Sequence, residues 1–539
     1  MKYLLSSLLS LAISLTAFAQ NSPGADYFAL GEIKLAKEYF TKNIGQTPAE
    51  SYYYLGEIAF LEGNMTEAKT NFEKGLAADP LSAFNAIGLA KLELKSNTKV
   101  AEDQLSEIFK KNKKDVSVIL AIAKAYSDNG MTEKATAKVE DARKANKKSP
   151  YIYIFEGDLL AKAGKAGDAA MQYDQAINFD PNCVLAYVKG ARVYESINPT
   201  TAIGMLKKVT AIRPDYKITY RYLGKLYYAN GFYAEAIAAY KEYFSAGDYT
   251  VADIIDLAAA QYFSKNYGDA VTVINEGLGR EADNFVLNRL LMYSDNELKE
   301  YDEGMAVGQK FFSIPRDTAK YIVQDYMTYG NILSEAGQKI DAIAQYKKAI
   351  ELDPSKIELN KEIAIILANE SMNAEAAEFY KKYIELMGEK AEASDFFQLG
   401  RYYYMAGTAA SKDSTLTAQA PAMFKDADAA FAIVAERIPE SHLGNLWRAR
   451  TNASLDPETI QGLAKPYYDE TVRIITAKND GENTRELIEA YRYLAYYYYV
   501  QFDATGSAEA KANTKLNCEK LLELDPENSV GLQLLEVVK

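Results

Sequence analysis

Small residues recur along this chain about every 34 positions, and each is followed four positions later by a bulkier one. The small series is Ala36, Ala68, Ala101, Ala135, Ala169, Ala202, Ala236, Ala270, Gly304, Ala342, Ala376, Ala427, Ala464 and Thr514. The second series is Phe40, Phe72, Leu105, Val139, Tyr173, Leu206, Tyr240, Ile274, Gly308, Tyr346, Tyr380, Phe431, Tyr468 and Cys518, with Gly308 alone out of character. Four residues are about one helical turn, so each small residue shares a helix face with its bulky follower. A repeat of this length predicts a helical hairpin copied and stacked, about fourteen times over. Residues 217–250 show the unit well, with Tyr220, Leu223, Gly224 and Tyr227 on a first helix, Gly231 at the turn, and Ala236 and Tyr240 on a second. Residues 150–183 repeat the plan with Tyr153, Gly157, Leu160, Gly164, Ala169, Tyr173 and Ala176 before Asp180-Pro181.

Local punctuation agrees with this reading. Gly63, Gly130, Gly164, Gly231 and Gly337 each stand five residues before a small position, where a first helix must end in the left-handed conformation that glycine adopts cheaply. Asp79-Pro80, Asp180-Pro181, Arg213-Pro214, Asp353-Pro354, Ile438-Pro439 and Asp525-Pro526 close second helices, because proline steers the residue before it out of the helical region. Gly56, Gly157, Gly224 and Gly330 are expected to face the small residues of the second helix, allowing the two backbones to approach to about 8–10 Å.

These motifs resemble the tetratricopeptide repeat family, over residues 25–526. The resemblance implies an all-α fold, a right-handed superhelix of about fourteen hairpins closed by a C-terminal capping helix. The expected organisation is a signal peptide at 1–19, a truncated N-terminal repeat at 20–48, repeats at 49–392, repeats with insertions near 407–421 and 503–512 across 393–526, and the cap at 527–539. The stretch 407–421, rich in Ala, Ser and Thr, is expected as a surface loop, and 503–512 as a lengthened turn. The copy around Gly304 and Gly308 is expected to be a softer joint, and Leu532, Leu535 and Val538 to form the buried face of the cap.

Residues 1–19 carry one lysine, an apolar run broken only by serines, and Ala-Phe-Ala at their end, the pattern of a secretory signal peptide cleaved before Gln20. No cysteine for lipid attachment follows, and no run of about 18 apolar residues occurs elsewhere. The expectation is an exported protein without stable membrane insertion, in a bacterial periplasm or secreted. The formal charge of −13 disfavours nucleic acid as a partner. One basic exception stands out: Lys110, Lys113 and Lys114 recur 34 residues later as Lys144, Lys147 and Lys148. They either complement the negative ends of two second helices or form an edge for an acidic partner. Cys183 and Cys518 lie about ten repeats apart, too far for a disulfide in an extended stack.

Candidate chemistry is sparse. His442 is the only histidine, and the stretch from Gly157 to Lys165 fails the spacing of a phosphate-binding loop. No catalytic residue, metal site or cofactor is expected, and the chain reads as a non-enzyme. Tyrosine is the conspicuous excess, 42 residues against one tryptophan. The resemblance implies that the open face of the first helices lines a concave, peptide-binding groove. Carried over repeat by repeat, its residues would be Tyr53, Glu57 and Phe60; Tyr151, Ile154 and Asp158; Arg192; Arg221, Lys225 and Tyr228; Phe397, Arg401 and Tyr404; and Arg492, Tyr496 and Tyr499. Aromatic residues interleaved with arginine are the composition of binding hot spots. The family's terminal-carboxylate clamp needs lysine and asparagine four residues apart, whereas the corresponding pairs read Arg221 and Lys225, Met327 and Asn331, Lys361 and Ile365. The expected function is a scaffold or adaptor that binds other envelope or secreted proteins. The alternative is a glycan-binding accessory protein for nutrient uptake, similar to outer-membrane starch-binding proteins.

Overall fold

The structure, a computed structural model, describes residues 22–315, 320–478 and 481–539, so the segment expected to be a signal peptide lies outside the described residues. These residues form twenty-nine α-helices, numbered α1 to α29 in chain order, and no strand. They fall into two compact units, divided between Ser294 and Asp295. Each unit is an all-α stack of antiparallel hairpins, a solenoid in which the two helices of a hairpin pack together and the second packs on the first helix of the next, as α4 (Met65–Ala78) does on α5 (Ala83–Glu93) and α22 (Asn373–Met387) on α23 (Ala393–Ala410).

The hairpin of α3 (Pro48–Leu61) and α4 (Met65–Ala78) shows how the sequence builds the unit. Pro48 opens α3 at its first turn, where a missing N–H costs nothing. Gly63 ends it at φ +80°. The Asn64 side chain then accepts the Glu67 N–H and caps α4. Ala68 and Phe72 are both fully buried, as are almost all their counterparts along the chain. Gly130, Gly164, Gly231 and Gly337 likewise take φ between +76° and +84°. Where the repeat lacks this glycine, Lys265, Lys299 and Ser371 adopt the same left-handed turn at φ 62–63°.

The first-helix glycines face something other than expected. A Cβ on Gly56 would lie 2.5 Å from the Phe72 ring, one on Gly157 2.7 Å from Tyr173, one on Gly224 2.8 Å from Tyr240, and one on Gly330 2.6 Å from Tyr346. Glycine therefore makes room for the aromatic ring of the second series rather than for the small residue. The copy with Gly308 inverts the arrangement: the space over that glycine is filled by the ring of Tyr329, from the following helix α19 (Val323–Glu335).

The expected surface loop at 407–421 is present but shorter, an exposed connection over 411–419. α23 (Ala393–Ala410) and α24 (Ala420–Arg437) are both eighteen residues long and take up the ends of the insertion, leaving nine residues between them that include a 3₁₀ turn. At the second insertion, α27 (Thr484–Thr505) and α28 (Ala508–Leu524) lengthen in the same way and Gly506 turns the chain at φ +67°. In both places an alanine-rich composition favours added helical turns over loop. The terminal helix, α29 (Ser529–Val537), buries Gly531, Leu534 and Val538, while Leu532 is 50% exposed and does not belong to its packed face.

Successive first helices also pack directly on one another. In the first unit α3 meets α5 (Ala83–Glu93), which meets α7 (Val116–Asp128), which meets α9 (Pro150–Lys162); in the second, α23 meets α25 (Leu443–Leu455). Successive second helices show no packing of that extent among the described residues. First helices therefore line the inner, tighter side of the first unit, and do so at α23 and α25 in the second, and this positions the candidate site.

Candidate partner-binding face

In the first unit, several side chains expected on the open face are buried. Tyr53 packs among Tyr54, Phe72 and Phe84, and Ile154 is core. Glu57 is enclosed in a four-charge cluster: Lys91 donates to its Oε1 at 2.6 Å and Lys124 to its Oε2 at 2.8 Å, and both lysines also donate to Asp128, at 3.2 and 2.6 Å. Asp158 accepts from Lys189 at 2.8 and 2.9 Å and from the Tyr173 hydroxyl at 2.8 Å. Arg221 is sandwiched between Glu32 and Asp253. The physical reason is the direct contact of first helices, which closes over the face between them and forces each charge to pair with one from a neighbouring repeat.

The electrostatics follow from that enclosure. Burial works to raise the Glu57 and Asp128 carboxyls, but the adjacent Lys124 and Lys91 ammonium groups outweigh it and hold both below their ordinary values. For Asp158 and Lys189 burial wins, so the acid is pushed up and the base down. A sequence signal for this pairing existed: Glu57 and Lys91, and likewise Lys124 and Asp158, occupy equivalent positions one period apart with opposite sign.

Other members of the set reach the surface in part. Phe60 is half-buried with the Lys91 ammonium 3.9 Å from its ring centre. Tyr151 is half-buried, and Arg192 is tied to the Leu30 carbonyl. Lys225 lies 3.9 Å from Asp256, and Tyr228 sits against Tyr233 and Phe263.

The second unit keeps a more open arrangement. On α23, Phe397 and Tyr404 are half-buried and Arg401 is exposed between them. Trp447 of α25 completes an aromatic cluster, its ring edge-on to Phe397 at 5.8 Å and to Tyr404 at 5.4 Å, with Phe431 beneath at 5.4 Å. Arg450 lies 5.0 Å from the Trp447 ring centre and makes a two-pronged bond to Glu489 of α27, at 2.9 and 2.7 Å. Tyr468 donates to the same carboxylate at 3.0 Å. Further along α27, Arg492 and Tyr496 are exposed and Tyr499 is half-buried. Trp447 and Arg450 were absent from the expected set because 447 follows the long α23–α24 hairpin, whose extra residues break the 34-residue register. The arrangement offers apolar ring surface flanked by guanidinium groups, suited to an apolar anchor beside a carboxylate or carbonyl.

All six lysines of the basic edge are exposed. They cluster at the C-terminal ends of α6 (Thr98–Lys111) and α8 (Thr132–Ala145), with Lys110 bonded to Glu107 and Lys144 to Asp141. That location matches the helix-end role. His442 is buried at the N-terminus of α25, and both cysteines are buried and free.

Comparison with known proteins agrees with this architecture. The tetratricopeptide repeat family model matches residues 49–80 and 326–356, which hold the α3–α4 hairpin and most of α19 with α20 (Lys339–Leu352). The chain thus contains tetratricopeptide repeats, in a helical scaffold of the kind typical of protein–protein interaction. It is 23% identical over 242 residues to the TPR repeat-containing protein YpiA of Bacillus subtilis (strain 168), covering 38% of this chain and 56% of that protein. The chain therefore spans a little over half of that relative's length. Among solved structures it is similar to the C-terminal part of a TPR repeat-containing protein from Cytophaga hutchinsonii, with 28% identity, 52% of this chain and 99% of that one covered, and a TM-score of 0.35. It is also similar to PilW, described as a widely conserved type IV pilus biogenesis factor, with 16% identity, 39% and 99% coverage, and a TM-score of 0.32.

Proposed function

We propose that this protein is a non-catalytic scaffold or adaptor of the cell envelope, exported by its N-terminal segment to the periplasm, that holds segments of other envelope proteins against its first-helix face. The observation that carries the reading is the cluster of Phe397, Tyr404 and Trp447 flanked by Arg401 and Arg450, on the inner side of the second unit. The composition of residues 1–19 supports export.

The test is cross-linking in native cells followed by mass spectrometry, then capture of the identified partner by variants. Arg401→Glu with Tyr496→Ala changes only exposed side chains and is expected to lower affinity about thirtyfold with helical content unchanged. Lys113→Glu with Lys147→Glu is the control for the basic edge. Wild-type capture by the first variant and lost capture by the control would move the interaction to the rim and refute the reading. The glycan-binding alternative rests on Phe263, 50% exposed, stacked on Tyr233 at 5.6 Å, a flat apolar surface of the kind sugar rings pack on. Retention on immobilised glycans, lost in Phe263→Ala, tests it.

A further inference from the structure

The inner face of the first unit is occupied by the chain itself. Helices α1 (Pro23–Ala29) and α2 (Ile33–Asn43) meet in a turn at residues 30–32, and that turn lies against α11 (Val184–Tyr194) and α13 (Ile218–Ala229), late in the same unit. Arg192 donates to the Leu30 carbonyl. Arg221 donates to Glu32 Oε2 at 2.5 Å, and the Tyr222 hydroxyl to Glu32 Oε1 at 2.8 Å. Leu30 is 1% exposed, in an apolar cluster with Leu35, Cys183, Leu185 and Leu223. Burial works to raise the Glu32 carboxyl, yet the Arg221 guanidinium and the Tyr222 hydroxyl overcome it and hold the group below its ordinary range.

Another hairpin turn shares part of this but not the distant contact: the α5–α6 turn (α6, Thr98–Lys111) also buries a leucine, Leu94, but its carbonyl accepts from Thr98 of the adjoining helix. The residues equivalent to Leu30 are Glu62, Asn129, Ala163 and Asn230, and those equivalent to Glu32 are Asn64, Met131, Lys165 and Phe232. None of these eight is buried. Among the turns compared, the first combines a buried leucine with a carbonyl and a carboxylate bonded by helices late in the same unit, which is how a bound peptide would present itself. Its hairpin is also short: α1 has seven residues, well below the length at which a helix holds without its packing.

We propose that residues 30–32 act as an internal ligand, filling in cis a receptor site on α11 and α13, and that a segment of another protein offering an apolar side chain, a main-chain carbonyl and a carboxylate binds there by displacing the α1–α2 hairpin. The inference rests on the reading of the first-helix face as a partner-binding surface and adds a gate to it. A hairpin closed 99% of the time would weaken the partner's apparent affinity about a hundredfold.

The probe is a fluorescein-labelled peptide with the sequence of residues 26–36, titrated into the full mature chain. The Leu30→Ser/Glu32→Lys variant, in which the turn can no longer dock, is expected to bind it at least about tenfold more tightly than the unaltered protein. Replacing the glutamate of the peptide by glutamine should cost about tenfold in that complex. Cys183, buried in the same cluster, should react with a thiol reagent more than tenfold faster in the variant while Cys518 is unchanged. Absence of peptide binding despite Cys183 exposure would overturn the receptor site, and an unreactive Cys183 would show the hairpin to be a fixed repeat. Dimerisation of the variant in place of peptide binding would assign the site to a second copy and also overturn the proposal. Should the variant misfold, hydrogen exchange on the unaltered protein decides: amides of α1 and α2 must exchange at least tenfold faster than those of α11 and α13, and equal rates sink the idea. Failure here with partner capture still dependent on Arg401 and Tyr496 removes the gate and leaves the scaffold reading in place.

Discussion

Replacing Glu57 by glutamine tests whether the inner charges hold the first unit together. The four side chains of its cluster are 2–9% exposed and sum to zero charge, with Lys91 and Lys124 against Glu57 and Asp128. Glu57→Gln keeps the shape and leaves one positive charge in excess, out of water. Breaking a buried pair in this way costs about 3–5 kcal/mol, since the remaining charge has no counterpart. The damage should centre on α3, α5 and α7 and reach the adjacent hairpins next, because a solenoid couples nearest neighbours. Hydrogen exchange resolved by helix is the assay. Adding Lys91→Met restores neutrality and should recover more than half of the loss, short of about 1 kcal/mol for the lost stacking of the ammonium on Phe60. The same cluster sets an acid limit. Glu57 and Asp128 are held below their ordinary values of 4.5 and 3.8, so their contribution is present above those values and is lost as pH falls through the lower folded ones. Protection of α3, α5 and α7 should therefore collapse in that acid window. A cost under about 1 kcal/mol for Glu57→Gln, or a double variant worse than the sum of its parts, would refute the reasoning.

Two further outcomes follow from single positions. Ser371 holds a left-handed turn at φ 62° where six other copies place glycine, so Ser371→Gly should stabilise the α21–α22 hairpin (Glu358–Asn369 and Asn373–Met387) by about 0.5–1 kcal/mol in denaturant unfolding; a loss would show that the serine side chain contributes more than the strain costs. Asp295, 3% exposed and with one carboxyl oxygen unpartnered, is pushed up to about 7, first by burial and then by Glu300 and Glu303. Its protonated form favours the fold, so local protection near α18 (Tyr301–Ser313) should be greatest below its ordinary value of 3.8 and be lost as pH rises through about 7. Exchange corrected for intrinsic rate should show that decline in the unaltered protein and lose it in Asp295→Asn.

What the sequence determined by itself is the hairpin and its repetition. Ala68, Ala169 and Ala236 with Phe72, Tyr173 and Tyr240 are local in register, and a face repeated every turn must be buried against its neighbour whatever the rest of the chain does. Gly63 and Gly231 are legible for the same reason, since left-handed backbone is a property of one residue. The insertion at 407–421 was legible as an exposed loop, whereas that at 503–512 was legible as extra length but not as helix, because composition alone does not separate an exposed helical turn from a loop. The proposed binding face was legible only in outline. Whether Glu57, Asp158 or Arg221 meets water or a partner charge depends on how closely successive first helices approach, and that distance is set by packing between repeats. Trp447 joined the face through the lengthened α23–α24 hairpin, outside the regular count. The contact of Glu32 with Arg221 joins residues nearly two hundred positions apart, and only the tertiary structure, by curving the first unit until its early and late helices meet, brought them together.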